Sequence, residues 1–293
     1  MRINLLKTYN DMIKSSQTTQ KDVDTLHNSV CMDYFLRPDL KIYQRAGRRY
    51  DGELIPGLCI YPDEKCICEM LNNLQNSLDE EILESSETPP AKMITYLLGH
   101  VYECVTNYFG TTQSHDNADK VFYEDTNSGE RLAKLSDFKG KDCAECIERA
   151  LAAHIVMCVL AEDPAIKDKG IFQCISFMHF TWIKCNVAQP SSASGGHVIC
   201  GLISQDENKT VYLFDPSSYG KIKYDAKEWD VYAIYELTRE EAKTLFEGDA
   251  VEPQLIYTKN IEGVEQISHR AYSKRPNEFK KLMERYKSND FSR

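Results

Sequence analysis

A cysteine, a histidine and an aspartate in the second half of the chain have the chemistry of a nucleophilic site. Cys146 precedes a long apolar segment, His197 opens the apolar run HVICGLI, and Asp215 ends the run VYLFD. A thiolate can attack a carbonyl carbon, an imidazole can move the proton, and a carboxylate can hold the imidazole in its useful tautomer. Cys146, His197 and Asp215 are therefore the predicted catalytic triad of an acyl-transfer reaction.

The thiol lies at the start of a predicted buried helix that extends from about residue 143 to 161. The sequence DCAE at 142–145 resembles a capping box, and LAAHIVMCVLA at 151–161 with its flanks is apolar almost all round. The N–H groups and the dipole at a helix start favour a thiolate over a thiol. Cys143 lies nearer to the predicted start than Cys146, and it is the rival nucleophile.

The imidazole and the carboxylate are predicted to lie on paired strands. The polar sequence QDENK separates the strand His197–Ser204 from the strand Val211–Asp215, which indicates a hairpin. Asp215 follows His197 by 18 residues, so antiparallel pairing would bring the two side chains together. Glycines before His197 leave room for a substrate chain to approach it.

The first 130 residues are predicted to be mainly helical. Helices are expected at 64–84 and at Ala91–Phe109, where apolar residues recur every three or four positions. Residues 1–30 are also expected to be helical, with breaks at Asn10–Ser15 and Thr18–Asp22. The prolines and glycines of residues 31–62 indicate loops and short strands.

Residues 131–293 are predicted to form a second region, the one that carries the triad. Helices are expected at 238–248, beginning at Thr238, and at 277–287. Five segments have the composition of strands: Ile171–Cys185, His197–Ser204, Val211–Asp215, Val231–Leu237 and Gln254–Thr258. His154, in the middle of the buried helix, is interpreted as a structural residue.

Residues 135–220 resemble transglutaminase-like proteins and papain-like cysteine proteases. The sequence CIERA at 146–150 resembles a transglutaminase-like nucleophile segment, and GGHVICGLI followed by VYLFDP keeps the order cysteine, histidine, aspartate. CAEC at 143–146 resembles the papain-type double cysteine, whose second cysteine is the nucleophile. The resemblance implies an α+β core with a buried helix packed on an antiparallel sheet. It assigns the nucleophile to Cys146, the base to His197 and the orienting acid to Asp215.

The resemblance also favours Cys146 over Cys143, because the small residue Ala150 follows Cys146 by four positions, as in the family, whereas Ile147 follows Cys143. Papain-like proteases have an oxyanion-hole glutamine before the cysteine, and KLSDFKGKDC contains none. The oxyanion donor is thus unassigned, and backbone N–H groups at the helix start are the default candidates. Arylamine N-acetyltransferases share Cys-x-Glu, but their preceding arginine-glycine-glycine is absent.

The function expected from this resemblance is acyl transfer through a thioester, on peptide or glutamine amide bonds. The second nucleophile decides whether the enzyme is a protease, a deamidase or a transglutaminase. The substrate is expected to be a protein or peptide, and no cofactor is expected. The alternative is a catalytically inactive, transglutaminase-like binding protein, since one fold can serve many functions.

Composition limits the other functional classes. The net charge of −10 argues against binding to nucleic acid, and no apolar run reaches the length of a membrane span. Eleven cysteines without a visible signal peptide indicate free thiols and a cytoplasmic protein. Cys59, Cys66 and Cys68 lie close together, but their spacing differs from that of zinc sites, so no metal is expected.

Overall fold

The computed structural model describes residues 2–17, 43–48, 54–85, 88–110, 121, 123–124, 131–174, 200–205, 207, 210–224, 227–238, 240–241, 254–255 and 267–268. The helices are α1 Leu5–Gln17, α2 Glu64–Ser77, α3 Glu80–Glu84, α4 Pro90–Phe109, α5 Cys146–Glu162 and α6 Pro164–Lys167, with a 3-10 turn at Leu135–Phe138. The strands are β1 Tyr43–Arg48, β2 Leu54–Tyr61, β3 Tyr123–Glu124, β4 Arg131–Lys134, β5 Phe172–Cys174, β6 Cys200–Ser204, β7 Val211–Tyr224, β8 Lys227–Leu237, β9 Gln254–Leu255 and β10 Ile267–Ser268.

Helix α5 is the centre of the core. Every side chain from Ala150 to Leu160 is buried, as the apolar composition of this segment predicts. A helix without a polar face needs neighbours all round, and α1, α2 and α4 pack against α5 together with strands β5, β6 and β7. The described part of the chain is therefore an α+β structure in which a buried helix packs on an antiparallel sheet.

The larger sheet has the strand order β10-β9-β8-β7-β6-β5, and every neighbouring pair is antiparallel. Strands β6 and β7 pair from Cys200 opposite Phe214 to Ile203 opposite Val211. This pairing confirms the hairpin that the polar sequence QDENK predicts.

The smaller sheet joins the two halves of the chain. Its strand order is β1-β2-β4-β3, and β2 is parallel to β4. The apolar core likewise forms one cluster, with members from Ile3 of the N-terminal segment to Ile234 of β8. Residues on both sides of the predicted boundary at 131 thus share a core, while the boundary itself stays a prediction.

Two predicted elements differ from the structure, and a third is described only in part. Helix α1 continues through the predicted break at Asn10–Ser15, because its polar residues Asn10, Asp11 and Lys14 are on the exposed face. The predicted helix 64–84 is interrupted at Leu78–Asp79, where Asp79 caps α3. The predicted helix at 238–248 is described only at its start, where the Thr238 and Glu241 side chains bond reciprocally to each other's backbone N–H.

Other predictions lie wholly or partly outside the described residues. These are the helix at 277–287, the break at Thr18–Asp22, and most of the strand Ile171–Cys185. Among the described helices, none combines the length and the apolar composition needed to cross a membrane.

Candidate active site

Cys146 is the first residue of α5. The N-terminal cap is Glu145, whose N–H donates to the carboxylate of Glu148 at 2.7 Å, and whose carbonyl accepts from the N–H of Arg149 at 3.2 Å. The predicted helix start at Cys143 is therefore wrong by three residues. Asp142 has a φ of 51°, in the left-handed region, which prevents the helix from extending back to it.

The two rival cysteines differ in accessibility. Cys143 is fully buried, with 0% of its surface exposed, whereas Cys146 is partly exposed. Both are free thiols. A nucleophile must be reached by its substrate, and the N–H groups of a helix start stabilise a nearby thiolate. Accessibility and position at the helix start both favour Cys146 over Cys143.

Asp215 is fully buried in β7, and the strand does not end there as predicted. The ladder with β8 pairs Asp215 with Ala233 and resumes with Tyr219 opposite Tyr232, so β7 is bulged in between. Pro216 lies in this bulge, where a missing N–H breaks no regular ladder bond. Within the bulge, the N–H and the hydroxyl of Ser217 donate to Oδ1 of Asp215 at 3.0 and 2.6 Å.

His197, the predicted base, lies outside the described residues. Strand β6 begins at Cys200, which pairs with Phe214, the residue immediately before Asp215. The pair of Cys200 and Phe214 is the end of the described β6–β7 ladder that is nearer to His197 in sequence. Asp215 follows directly after this pair. The proximity of His197 to Cys146 and Asp215 stays a prediction.

Two buried charges beside Cys146 are functional candidates that the sequence reasoning missed. Glu148 is 0% exposed and Arg149 is 2% exposed, in the first turn of α5. Burial lowers the pKa of Arg149, while Tyr102, Glu148, Asp215 and Asp142 act in the opposite direction. Arginine still keeps its charge, because its ordinary pKa is so high. The sequence did contain a sign of their burial: Glu148 and Arg149 directly precede residues 150–161, which include no Asp, Glu, Lys or Arg.

Cys200 is a buried thiol on β6, and it pairs with Phe214, the residue before Asp215. The Sγ of Cys200 donates to the carbonyl of Ala150 at 3.1 Å, which connects β6 to the first turns of α5. Burial raises the pKa of the Cys200 thiol, and the negative charge of Asp215 raises it further. Cys200 is therefore a neutral packing residue that lies close to Asp215.

His154 has the structural role expected of it. Its side chain is 1% exposed, and its Nε2 lies 3.4 Å from the Sγ of Cys158, one helical turn later. An imidazole enclosed in this way is not accessible to a substrate.

Two surface clefts lie far from Cys146. Both include Pro164, which follows the C-terminal end of α5, and both include Arg2 near the start of the chain. A helix of 17 residues is about 25 Å long, so these clefts lie at the other end of α5 from the thiol. Within the described residues, no three His, Cys, Asp or Glu side chains are grouped as a metal site would require.

Comparisons with protein-family models, with curated proteins and with solved structures found no match to this chain. The proposal for its function therefore depends on the chemistry and position of its own residues.

Proposed function

We propose that the protein is a cysteine-dependent acyl-transfer enzyme with a papain-like or transglutaminase-like core. In this proposal Cys146 attacks the carbonyl carbon of a peptide or glutamine side-chain amide, and His197 takes the thiol proton and gives it to the departing amine. Water or a second amine then resolves the thioester. Asp215 orients His197 and stabilises the imidazolium.

One observation carries the proposal: Cys146, partly exposed, is the first residue of a buried helix packed on the hairpin that carries Asp215. The helix start supplies N–H groups that favour a thiolate and that can bind an oxyanion. The described order of elements, helix before antiparallel strands, also agrees with the resemblance in residues 135–220.

The pH dependence of thiol alkylation tests this proposal on the full chain. Iodoacetamide is added across a range of pH, and the labelled peptides are quantified by mass spectrometry. Cys68 is the matched control, because it is also partly exposed on a helix, and burial and the nearby Glu64 raise its pKa. We expect Cys146 to react well below the pH at which Cys68 reacts, and H197A to remove this difference. Equal profiles for Cys146 and Cys68 would reject the proposal.

The reaction itself is assayed with a glutamine-containing peptide. Ammonia release indicates deamidation, incorporation of an added amine indicates transamidation, and chain cleavage indicates proteolysis. C146A should abolish whichever product forms, whereas C143A should not remove the chemistry if it leaves the fold intact.

A catalytically inactive binding protein is the second candidate, and a specific contact favours it. Oδ1 of Asp215 accepts two hydrogen bonds from Ser217, which is a sufficient structural reason for a buried carboxylate. D215N distinguishes the two functions. In an enzyme it changes the alkylation profile of Cys146, whereas in a binding protein it changes stability alone.

A further inference from the structure

Arg149 is the largest fully buried side chain among the described residues, and it binds the segment before the candidate nucleophile. Its Nε donates to the carbonyl of Ala144 at 2.9 Å, and Ala144 is itself fully buried. The Cζ atom lies 5.9 Å from the centroid of the Phe109 ring, at the end of α4. Because a buried cation is costly, such a residue is expected to have a specific task. The bond to Ala144 indicates what that task is.

Arg149 binds two successive carbonyls on the two sides of the helix start. Its backbone N–H donates to the carbonyl of Glu145 at 3.2 Å, as residues i and i+4 do in an α-helix. The carbonyl of Ala144, one residue earlier, would accept from the N–H of Glu148 if the helix extended further back. In the structure it accepts from the side chain of Arg149, and Cys146 is the first helical residue.

The local sequence alone favours an earlier start of α5. Asp142 is a good N-terminal cap, and Glu145 follows it by three residues, as in a capping box. In the structure, however, Asp142 has a φ of 51°, and residues 143–145 lie outside the helix. The hydrogen bond between Arg149 and Ala144 is a contact of the folded chain that opposes this local preference.

The position of the helix start decides the environment of the Cys146 thiol. The first N–H groups of a helix have no acceptor within it, and with the helix dipole they stabilise a nearby thiolate. Because α5 begins at Cys146, the thiol lies beside these groups, and it is partly exposed. A start at Cys143 would instead make Cys146 an interior residue, with its N–H bonded to the carbonyl of Asp142.

We infer that Arg149 is a positioning residue of the proposed acyl-transfer site, whose bond to Ala144 keeps residues 143–145 out of α5 so that the helix begins at Cys146. The inference rests on the proposed function, because the reactivity of Cys146 is what the helix start controls. Since Arg149 is buried, it acts through the Ala144 carbonyl and not on a substrate.

Two neutral variants of the full chain separate the Ala144 bond from the charge of Arg149. Glutamine has a side-chain amide nitrogen at the position of Nε, so R149Q can still donate to Ala144. Methionine has a similar length but no donor, so R149M cannot. R149Q is thus the matched control for R149M, because both variants lose the same buried charge. Cooperative unfolding in urea shows that each variant is folded.

In R149M we expect α5 to extend to Cys143, so that the amide proton of Cys146 becomes protected from exchange, as measured by NMR. We also expect iodoacetamide to label Cys146 about threefold to fivefold more slowly below the midpoint of its pH profile, because the thiol no longer lies at the helix start. R149Q should keep the amide exchange and the pH profile of the unaltered chain. Equal effects of R149M and R149Q, or no effect of R149M, would overturn the inference.

If neither variant unfolds cooperatively, hydrogen exchange in the unaltered chain decides. The Nε–H of Arg149 should exchange more slowly than that of Arg2, which donates to Glu80 on the surface. The backbone amide of Cys146 should exchange faster than that of Arg149, which is bonded to Glu145. The opposite order in either pair would overturn the inference, and the expected order in both pairs would support it.

The outcomes separate the inference from the proposed function. If Cys146 of the unaltered chain reacts no more readily than Cys68, the proposed function fails, and the inference fails with it. If Cys146 is activated relative to Cys68, but a folded R149M keeps the unaltered profile and the unaltered amide exchange, the inference alone is overturned.

Discussion

Gly110 and Asp142 lie against each other, and both have a positive φ. Gly110 ends α4 with a φ of 82°, and Asp142 precedes the Cys143–Cys146 segment with a φ of 51°. A Cβ atom on Gly110 would overlap the Asp142 carboxylate. The end of α4 therefore lies beside the segment that leads to the candidate nucleophile.

Replacing Gly110 with alanine should therefore destabilise the protein, mainly through the backbone. Gly110 has a φ of 82° and a ψ of 177°, a combination adopted almost only by glycine, and there a residue with a side chain costs about 1–3 kcal/mol. The overlap involves only the end of the exposed Asp142 side chain, which can turn aside, so it adds little, and we expect G110A to lower the free energy of unfolding by about 1–3 kcal/mol in urea denaturation.

Gly140 provides the matched control. It also has a positive φ, of 67°, but a Cβ there would meet no atom within 4 Å. G140A should show only the backbone effect, about 1–2 kcal/mol. Equal losses in G110A and G140A would mean that the Asp142 side chain turns aside without a measurable cost.

Asp163 connects the N-terminal helix to the end of α5. Its carboxylate, 1% exposed, accepts from the N–H of Asn4 at 3.1 Å, the hydroxyl of Thr8 at 2.9 Å and the N–H of Ala165 at 3.0 Å. T8V should lower the free energy of unfolding by about 1.5–3 kcal/mol, as for a hydrogen bond to a charged group. A double-mutant cycle of T8V and D163N should show coupling, and purely additive losses would mean that the bond adds nothing to stability.

Stability should fall at alkaline pH because of buried thiols. Burial raises the pKa of Cys104 to about 12 and that of Cys66 well above the ordinary value. The unfolded chain releases these protons near pH 8.5, whereas the folded chain keeps them. The stabilisation is thus fully present below about pH 8.5 and is lost as the pH rises toward about 12, by about 1.4 kcal/mol per pH unit for each thiol.

Urea denaturation from about pH 8 to 9.5, below the range in which tyrosine titrates, measures this slope. C104A should reduce the pH dependence of the free energy of unfolding by the contribution of one thiol. C68A should reduce it less, because Cys68 is partly exposed. A slope that C104A leaves unchanged would mean that the Cys104 thiol does not stay protonated in the folded chain.

A fragment of residues 131–293 should not fold as the full chain does. Helix α5 packs against α1, α2 and α4, all of which lie before residue 131, so the fragment would expose apolar surface of α5. We expect the fragment to bind a hydrophobic dye and to lack a cooperative unfolding transition until residues 1–130 are added. A cooperative transition of the fragment alone would support the predicted boundary.

Local sequence patterns correctly predicted helix α4 and the β6–β7 hairpin. The three- and four-residue spacing in 91–109 gave α4 to within one residue, and QDENK gave the β6–β7 hairpin. The start of α5 was misplaced, because the choice between Asp142 and Glu145 as the cap depends on the left-handed backbone at Asp142. Sequence spacing does not reveal that backbone conformation.

Contacts between elements that are distant in sequence determine the features that local patterns did not predict. Pro216 indicates the end of a strand, but a bulge accommodates it and the ladder with β8 continues. Arg149 has the charge of a surface residue, but it is 2% exposed in the folded chain, where its Nε donates to the carbonyl of Ala144. The triad was predicted from residue types and order, and its test now depends on the reactivity of Cys146.

The strand order of the larger sheet has a consequence for folding kinetics. Among the described strands, β6, β7 and β8 follow one another with only six and two residues between them, so this part of the sheet can form hairpin by hairpin with short loop closures. The parallel pair of β2 and β4 is different, because it joins Leu58 to Arg131 across most of the N-terminal helices. We therefore expect amide protons of β6, β7 and β8 to become protected from exchange early in refolding, and those of β2 and β4 late.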